Sequence, residues 1–454
     1  MDTNSKLNNW EDPHYVHPWH DFKKEANHFA LASKGEGIYI YDQNGSRHID
    51  GPGGMWCVNL GYGRTEIADA ISEQAKRLPY CSPWYYSNEP AANLAKKIAE
   101  RTPGDLNNVF FTTCGSTAID SALRFVQFYF NFLDQPQKKT VIARDKGYHG
   151  STYFAASISG KERDKRKLDT LSENVSFLSD VNPNLRGTNE TENQWCDKKV
   201  AELEEKILKL GAENVAAFVA EPILASGGVV IPPKGYHKRT KTICEKYGVL
   251  YISDEVVTGF GRLGYWFASE EVFDITPDII TCAKGLTSGY IPMGATIISN
   301  KLMQNLQNTN YEEIIFSNGF TYSGHPVSAA AGLKVIEIME RENTLKHVQS
   351  VTPLFQERLK AIETKFSIVK EARGIGLLGC LEGNIGAATT EESKLKKDYD
   401  FGSLIDKAAE KRGLIIRPII NMCVFSPPLT ITKEEINILF DILEESLKEA
   451  ENTI

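Results

Sequence analysis

One lysine in this chain is placed to do chemistry. Lys284 ends the apolar run Asp278–Ala283 and is followed by Gly285 and Gly289. Most lysines are solvated at the surface. One that closes a buried strand within a glycine-bearing turn loses hydration, which lowers its pKa. Its amine can then attack a carbonyl carbon and form a carbon–nitrogen double bond. Thirty positions earlier, the strand-like stretch Val249–Val257 carries adjacent carboxylates, Asp254 and Glu255. In open α/β sheets ligands sit beyond the carboxyl ends of the strands. Successive strand side chains face opposite sides, so only one of the two should enter a given site. Taken alone, the pair reads slightly better as a cap on the following turn.

A third feature concerns anions. Cys114-Gly115-Ser116-Thr117 lies where a short apolar strand gives way to a helix. Free backbone N–H groups and the helix dipole favour an anion there, and Ser116 and Thr117 add hydroxyl donors. In isolation such a turn is only an N-cap. Joined to Lys284 and Asp254, it fits the plan of a pyridoxal 5′-phosphate (PLP) site, where a carboxylate partners the pyridinium nitrogen and a lysine holds the aldehyde.

The elements that must position these groups can be read from apolar spacing. Strands are expected at Asn108–Thr113, Lys139–Arg144, Val215–Glu221, Val249–Val257, Asp278–Ala283 and Gly294–Ser299. Helices are expected at Thr117–Phe132, Lys198–Leu210 and Tyr236–Tyr247. Apolar runs of this length separated by helices imply an α/β fold with a mainly parallel sheet buried on both faces. The C-terminal third reads as a separate α+β lobe, with helices at Pro326–Glu342, Leu354–Phe366 and Lys433–Asn452 and short strands near Gly374–Leu381 and Leu414–Pro418. Tyr39–Asp42 and Arg47–Asp50, split by Asn44-Gly45, form a hairpin by their turn chemistry and could join that lobe. The polar stretch Ser159–Lys199 reads as a solvated, insertion-like loop with short helices.

Eight segments in order resemble the class III (ω-) aminotransferases of the fold type I PLP enzymes, most of all the pyruvate-dependent ones. They are G-M-W-C-V-N-L-G-Y-G-R (54–64), C-G-S-T-A-I-D-S-A-L-R (114–124), G-Y-H-G (147–150), A-E-P-I (220–223), D-E-V-V-T-G-F-G-R (254–262), C-A-K-G-L-T-S-G-Y-I-P-M-G-A (282–295), F-T-Y-S-G-H-P (320–326) and G-L-I-I-R-P (413–418). The resemblance implies a large domain with a mainly parallel seven-stranded sheet and a smaller α+β domain built from both chain ends. The boundaries would be an N-terminal segment over 1–65, a large PLP-binding domain over 66–324 and a small domain over 325–454.

Residue by residue, the resemblance implies that Gly115 and Ser116 hold the cofactor phosphate and that Tyr148 stacks on its ring. Asp254 would bind the ring nitrogen, Val256 would pack on the other face, Glu221 would lie on the hydroxyl side and Lys284 would be the Schiff-base lysine. Thr321 would reach the phosphate from the neighbouring subunit of a homodimer, or of a tetramer. Trp56 would line the substrate pocket, Tyr85 and Tyr86 would form walls partly shared across the dimer, and Trp19 and Phe22 would lie over the entrance. Arg417 would bind the acceptor's carboxylate, for which a guanidinium is geometrically matched. Thr117 and Ile119 depart from the family, since many relatives carry Glu and Asn there. The implied activity is transfer of an amino group from an ω-amino acid or amine to a 2-oxo acid, with pyruvate favoured, by a ping-pong cycle through pyridoxamine phosphate.

Composition narrows the field further. The 454 residues carry a net charge of −8 with no Lys/Arg block, so a nucleic-acid surface is disfavoured. Eight cysteines without a C-x-x-C pair argue against structural zinc or a disulfide framework, and no metal site is expected. No apolar run suggests a membrane span, and the polar stretch Met1–Phe22 has no secretion or organelle signal, so a cytoplasmic location is expected. An aminomutase or decarboxylating relative, or a PLP-binding regulator without turnover, would share much of this pattern. The latter is disfavoured by the intact Lys284, Asp254, Tyr148 and Arg417. A nucleotide-binding enzyme would need G-x-G-x-x-G after a strand, and none occurs.

Overall fold

Six consecutive residues, Val215–Ala220, are all buried, which is what a strand covered on both faces requires. This strand is part of a seven-stranded sheet with the spatial order Leu106–Thr112, Gly294–Ser299, Ile279–Cys282, Leu250–Asp254, Val215–Ala220, Thr140–Arg144 and Val175–Leu178. Gly294–Ser299 runs antiparallel to both its neighbours, and the remaining pairs are parallel. The computed structural model describes residues 14–19, 21–23, 31–384 and 390–453. Residues 1–13, 20, 24–30, 385–389 and 454 lie outside it.

Helices cover the sheet, and their starts follow from the sequence. Gly115–Phe132 carries an aliphatic and aromatic stripe that packs on one face with Ala143, Val219 and Ile252. Glu192–Leu210 and Tyr236–Lys246 lie on the other, where Leu203, Ile207 and Cys244 meet Phe218 and Tyr251. Thr191 and Gln194 form a reciprocal capping box that starts the first of these six residues before the expected Lys198. The polar 159–199 stretch is therefore not a simple loop, since Val175–Leu178 within it is the sheet's edge strand.

The strand expected to run to Val257 stops at Asp254. Glu255 accepts hydrogen bonds from Ala268 N (2.7 Å), Ser269 N (2.9 Å) and Thr258 Oγ1 (2.9 Å), and so folds the chain into a turn. The expected hairpin is present, and Arg47–Asp50 also pairs in parallel with Leu414–Ile415. A third sheet contains Val369–Ile375, Leu378–Gly383, Met422–Phe425 and Arg417–Ile419. Helix Thr344–Lys365 continues through Pro353, where the sequence suggested a start, because Val348, Val351, Phe355, Leu359 and Ile362 give it one buried stripe. No helix among the described residues is long and apolar enough to cross a membrane.

Candidate active site

Five strands of the central sheet finish at one edge, and residues at or just past their ends line one cavity of about 670 Å³. Asp254 closes Leu250–Asp254, Glu221 follows Val215–Ala220, Tyr148 follows Thr140–Arg144, and Lys284 follows Ile279–Cys282. Gly115 and Ser116 follow Leu106–Thr112 at the N-terminus of an eighteen-residue helix. This is the crevice where open α/β sheets bind ligands.

Lys284 takes a left-handed backbone conformation (φ +44°) directly after the extended strand, and begins a single 3-10 turn. For a non-glycine residue this is a strained geometry, costing on the order of 1–3 kcal/mol. Burial pushes its amine below the usual lysine range, with Asp254, Cys57 and Glu221 pulling the other way. Its Nζ lies 5.8 Å from the Trp56 ring centre.

Asp254 is held on several sides. His149 Nδ1 lies 2.7 Å from its Oδ2, while Val256 N (3.2 Å) and Thr281 Oγ1 (3.3 Å) donate to Oδ1. Glu255 does not line the cavity, as strand alternation requires. Glu221 accepts from Tyr148 N (3.0 Å) and Ala225 N (3.1 Å), and burial raises its pKa.

The helix N-terminus is open for a close reason. A Cβ on Gly115 would stand 2.9 Å from Val256 Cγ1, so only glycine leaves both chains in place. Ser116 Oγ accepts from Ser151 N at 3.1 Å, which fixes the oxygen and leaves its proton to donate. Thr117 does not face the cavity. Its Oγ1 accepts from Cys114 N (3.0 Å) and donates to Cys114 O (2.9 Å), a self-contained cap.

At the other end, Arg417 Nη1 lies 3.1 Å from Met55 Sδ, and the guanidinium sits 5.4 Å from the Trp56 ring centre and 5.9 Å from that of Trp19. Desolvation lowers its pKa. Ser226 Oγ and Trp56 Nε1, both from residues lining the cavity, are buried with no hydrogen-bond partner among the described residues.

Of the residues anticipated from sequence, Trp19, Trp56, Gly115, Ser116, Tyr148, Glu221, Asp254, Val256, Lys284 and Arg417 line this cavity. Phe22, Tyr85, Tyr86 and Thr321 do not, and all four are exposed on the single chain. Sequence reasoning missed His149, although it stands next to Tyr148 in the quoted motif. It also missed Lys161, Arg163 and Asp164, which line the cavity from the stretch read as a solvated loop. Nothing in their polar composition separates them from surface residues.

A desolvated amine, a fixed buried carboxylate facing the same cavity, and a glycine-opened helix N-terminus together fit PLP, and the fold and site define a PLP-dependent transferase of fold type I. The chain belongs to the class-III aminotransferase family, whose model matches residues 22–447. It is similar to the putrescine–pyruvate aminotransferase of Pseudomonas aeruginosa, with 38% identity over 451 residues, spanning 98% of this chain and 97% of that protein. It is 37% identical over 432 residues to the mitochondrial gamma-aminobutyrate transaminase 1 of Oryza sativa subsp. indica, covering 94% and 83%. Among solved structures, the omega transaminase of Pseudomonas jessenii in complex with PMP superposes with a TM-score of 0.90 at 30% identity, covering 97% of each chain. The protein is thus a PLP-dependent aminotransferase.

Proposed function

We propose that this transaminase takes its amino group from an ω-amino acid or amine and delivers it to pyruvate in two alternating half-reactions. The observation that carries the acceptor assignment is Arg417, a desolvated guanidinium in the cavity with no carboxylate at ion-pair distance among the described residues. A small 2-oxo acid supplies the carboxylate that a planar fork binds best. The similarity to a putrescine–pyruvate aminotransferase supports the same acceptor.

When bound, PLP supplies an aldehyde that captures amines and a ring that withdraws electrons from the bond to be broken. The chain does the rest. Gly115 and Ser116 would hold the phosphate, with the helix N-terminus favouring its charge. Tyr148 and Val256 would pack against the ring, Glu221 would order its hydroxyl side, and Asp254 would keep a proton on the ring nitrogen. Lys284 Nζ would hold the cofactor and, once displaced by the donor's amine, would be free to take the proton from the donor's carbon. Trp56 and Trp19 exclude water beside Arg417.

The same reading divides the chain at about residues 65 and 325 and makes the enzyme a homodimer. Trp84, Tyr85 and Tyr86 expose aromatic rings on one segment of the single chain, a surface suited to burial by a partner that shares the site with Thr321. A cytoplasmic location is supported by eight free cysteines. A donor panel run separately with pyruvate and 2-oxoglutarate tests the acceptor. Alanine should form stoichiometrically with donor loss, and formation of glutamate alone would overturn pyruvate. Sedimentation as a monomer would overturn the shared site.

A further inference from the structure

Four cationic side chains line the cavity, Lys161, Arg163, Lys284 and Arg417, and Lys161 has no role in the function proposed above. Lys161 lines the cavity between helix Tyr153–Ile158 and the single helical turn Glu162–Lys165, and its Nζ lies 5.8 Å from the Tyr148 ring centre. The other charges of the cavity wall are accounted for. Asp254 and Glu221 are satisfied by the hydrogen bonds described above, and Asp164 pairs with Arg163 at 2.9 Å. Lys284 is the reacting amine, and Arg417 faces the acceptor's carboxylate.

Among the described residues, no carboxylate lies within ion-pair distance of Lys161, although the side chain is half-buried. Its desolvation is therefore offset only in part, by carboxylates that lie beyond pairing distance. Burial pushes the ammonium down to about 8, Arg163 and Arg417 push the same way, and Asp164 and Glu221 resist. An anion arriving from outside would restore the charged form and gain a charge-assisted hydrogen bond.

We propose that Lys161 is a second anion-docking position, which takes the carboxylate or sulfonate at the far end of an ω-amino acid donor. The inference rests on the transaminase reading and narrows its donor class. With Arg417 and Lys161 both present, the distal ammonium of a diamine meets two cations, while an acidic end meets a partner. Discrimination of this kind combines attraction for one ligand with repulsion of its competitor.

The test compares 4-aminobutyrate, 1-aminobutane and 1,4-diaminobutane on the holoenzyme with pyruvate as acceptor. In Lys161→Met and Lys161→Gln, the ratio of kcat/KM for 4-aminobutyrate over 1-aminobutane should fall about ten- to hundredfold, mostly through KM, the range of one charge-assisted contact. The diamine should gain relative to 1-aminobutane. Lys161→Arg should keep most of the ratio. Because both donors are assayed on one preparation, partial loss of folded protein cancels. A ratio unmoved in both neutral variants overturns the proposal, and so does an arginine variant that loses as much as they do. If the unmodified enzyme aminates no acceptor from any donor, the transaminase reading itself has failed.

Discussion

His149 Nδ1 and Asp254 Oδ2 stand 2.7 Å apart, and both side chains are shut off from solvent. The backbone that carries the imidazole is anchored as well, because the His149 main-chain N–H donates to Ser159 Oγ at 2.9 Å. Asp254 is therefore aimed by a residue that does not line up with it in sequence but reaches it from the next strand but one. Leaving one buried oxygen unpaired costs about 1–3 kcal/mol, equivalent to about ten- to hundredfold in rate if it appears in the transition state. His149→Ala should lower kcat by about that much, less than Asp254→Ala, and should shift the pH titration of the bound cofactor's absorbance. Unchanged kcat with an unchanged titration would remove His149 from the positioning of Asp254.

Lys284→Ala should reduce turnover by at least about 10³-fold, since proton transfer alone contributes roughly 10²–10⁴. Lys284→Arg should not rescue it, because a guanidinium stays protonated and cannot act as the nucleophile. Alanine formation from donor and pyruvate is the readout. Wild-type rates in the alanine variant would refute the assignment of this lysine.

Gly115→Ala places a methyl group against Val256, whose branched side chain has little rotamer freedom. The overpacking should lower stability by about 1–3 kcal/mol and weaken cofactor retention on dialysis. Adding Val256→Ala should restore part of the retention. Two independent, additive losses would show that the two residues do not share this contact.

Asp406, on helix Glu391–Glu410, has its pKa raised to about 6, first by burial and then by Glu410, with Lys407 opposing. The folded value lies above the unfolded one, so the associated stability is complete below about pH 3.8 and is lost as pH rises through about 6. Asp406→Asn should therefore raise the melting temperature near neutral pH, by an amount corresponding to about 1 kcal/mol after solvent screening, and have little effect at about pH 4. Calorimetry across that window decides it. A variant equally stabilised at both ends would assign the effect to something other than this ionisation.

Much of the site was legible because its residues sit at strand ends, and strand ends are marked where an apolar run meets glycine or charge. Lys284, Asp254 and Gly115 were found this way. Their neighbours show where such signals stop. Val256 and Val257 look like strand residues by propensity, yet the ladder ends at Asp254 because hydrogen bonds to Glu255 from residues 13 and 14 positions away hold a turn. Val175–Leu178 was hidden because its flanks are polar, and an edge strand needs only one neighbour. Lys161 carries no local mark at all. Its place in the cavity comes from a tertiary surrounding that includes Tyr148, which no periodicity encodes. Helix Thr344–Lys365 reverses the problem, since a proline that locally signals a start is overruled by packing along the whole stripe.

The pairing of Arg47–Asp50 with Leu414–Ile415 has a consequence for biosynthesis. Met55 and Arg417 touch across 362 residues of chain. A polypeptide still emerging from the ribosome can assemble the central sheet and its lysine from segments already made. It lacks the guanidinium until residue 417 has been made and Leu414–Ile415 has docked on Arg47–Asp50, a strand made much earlier. Contacts of such long sequence separation form slowly. The Arg417 end of the cavity therefore closes later than the Lys284 end.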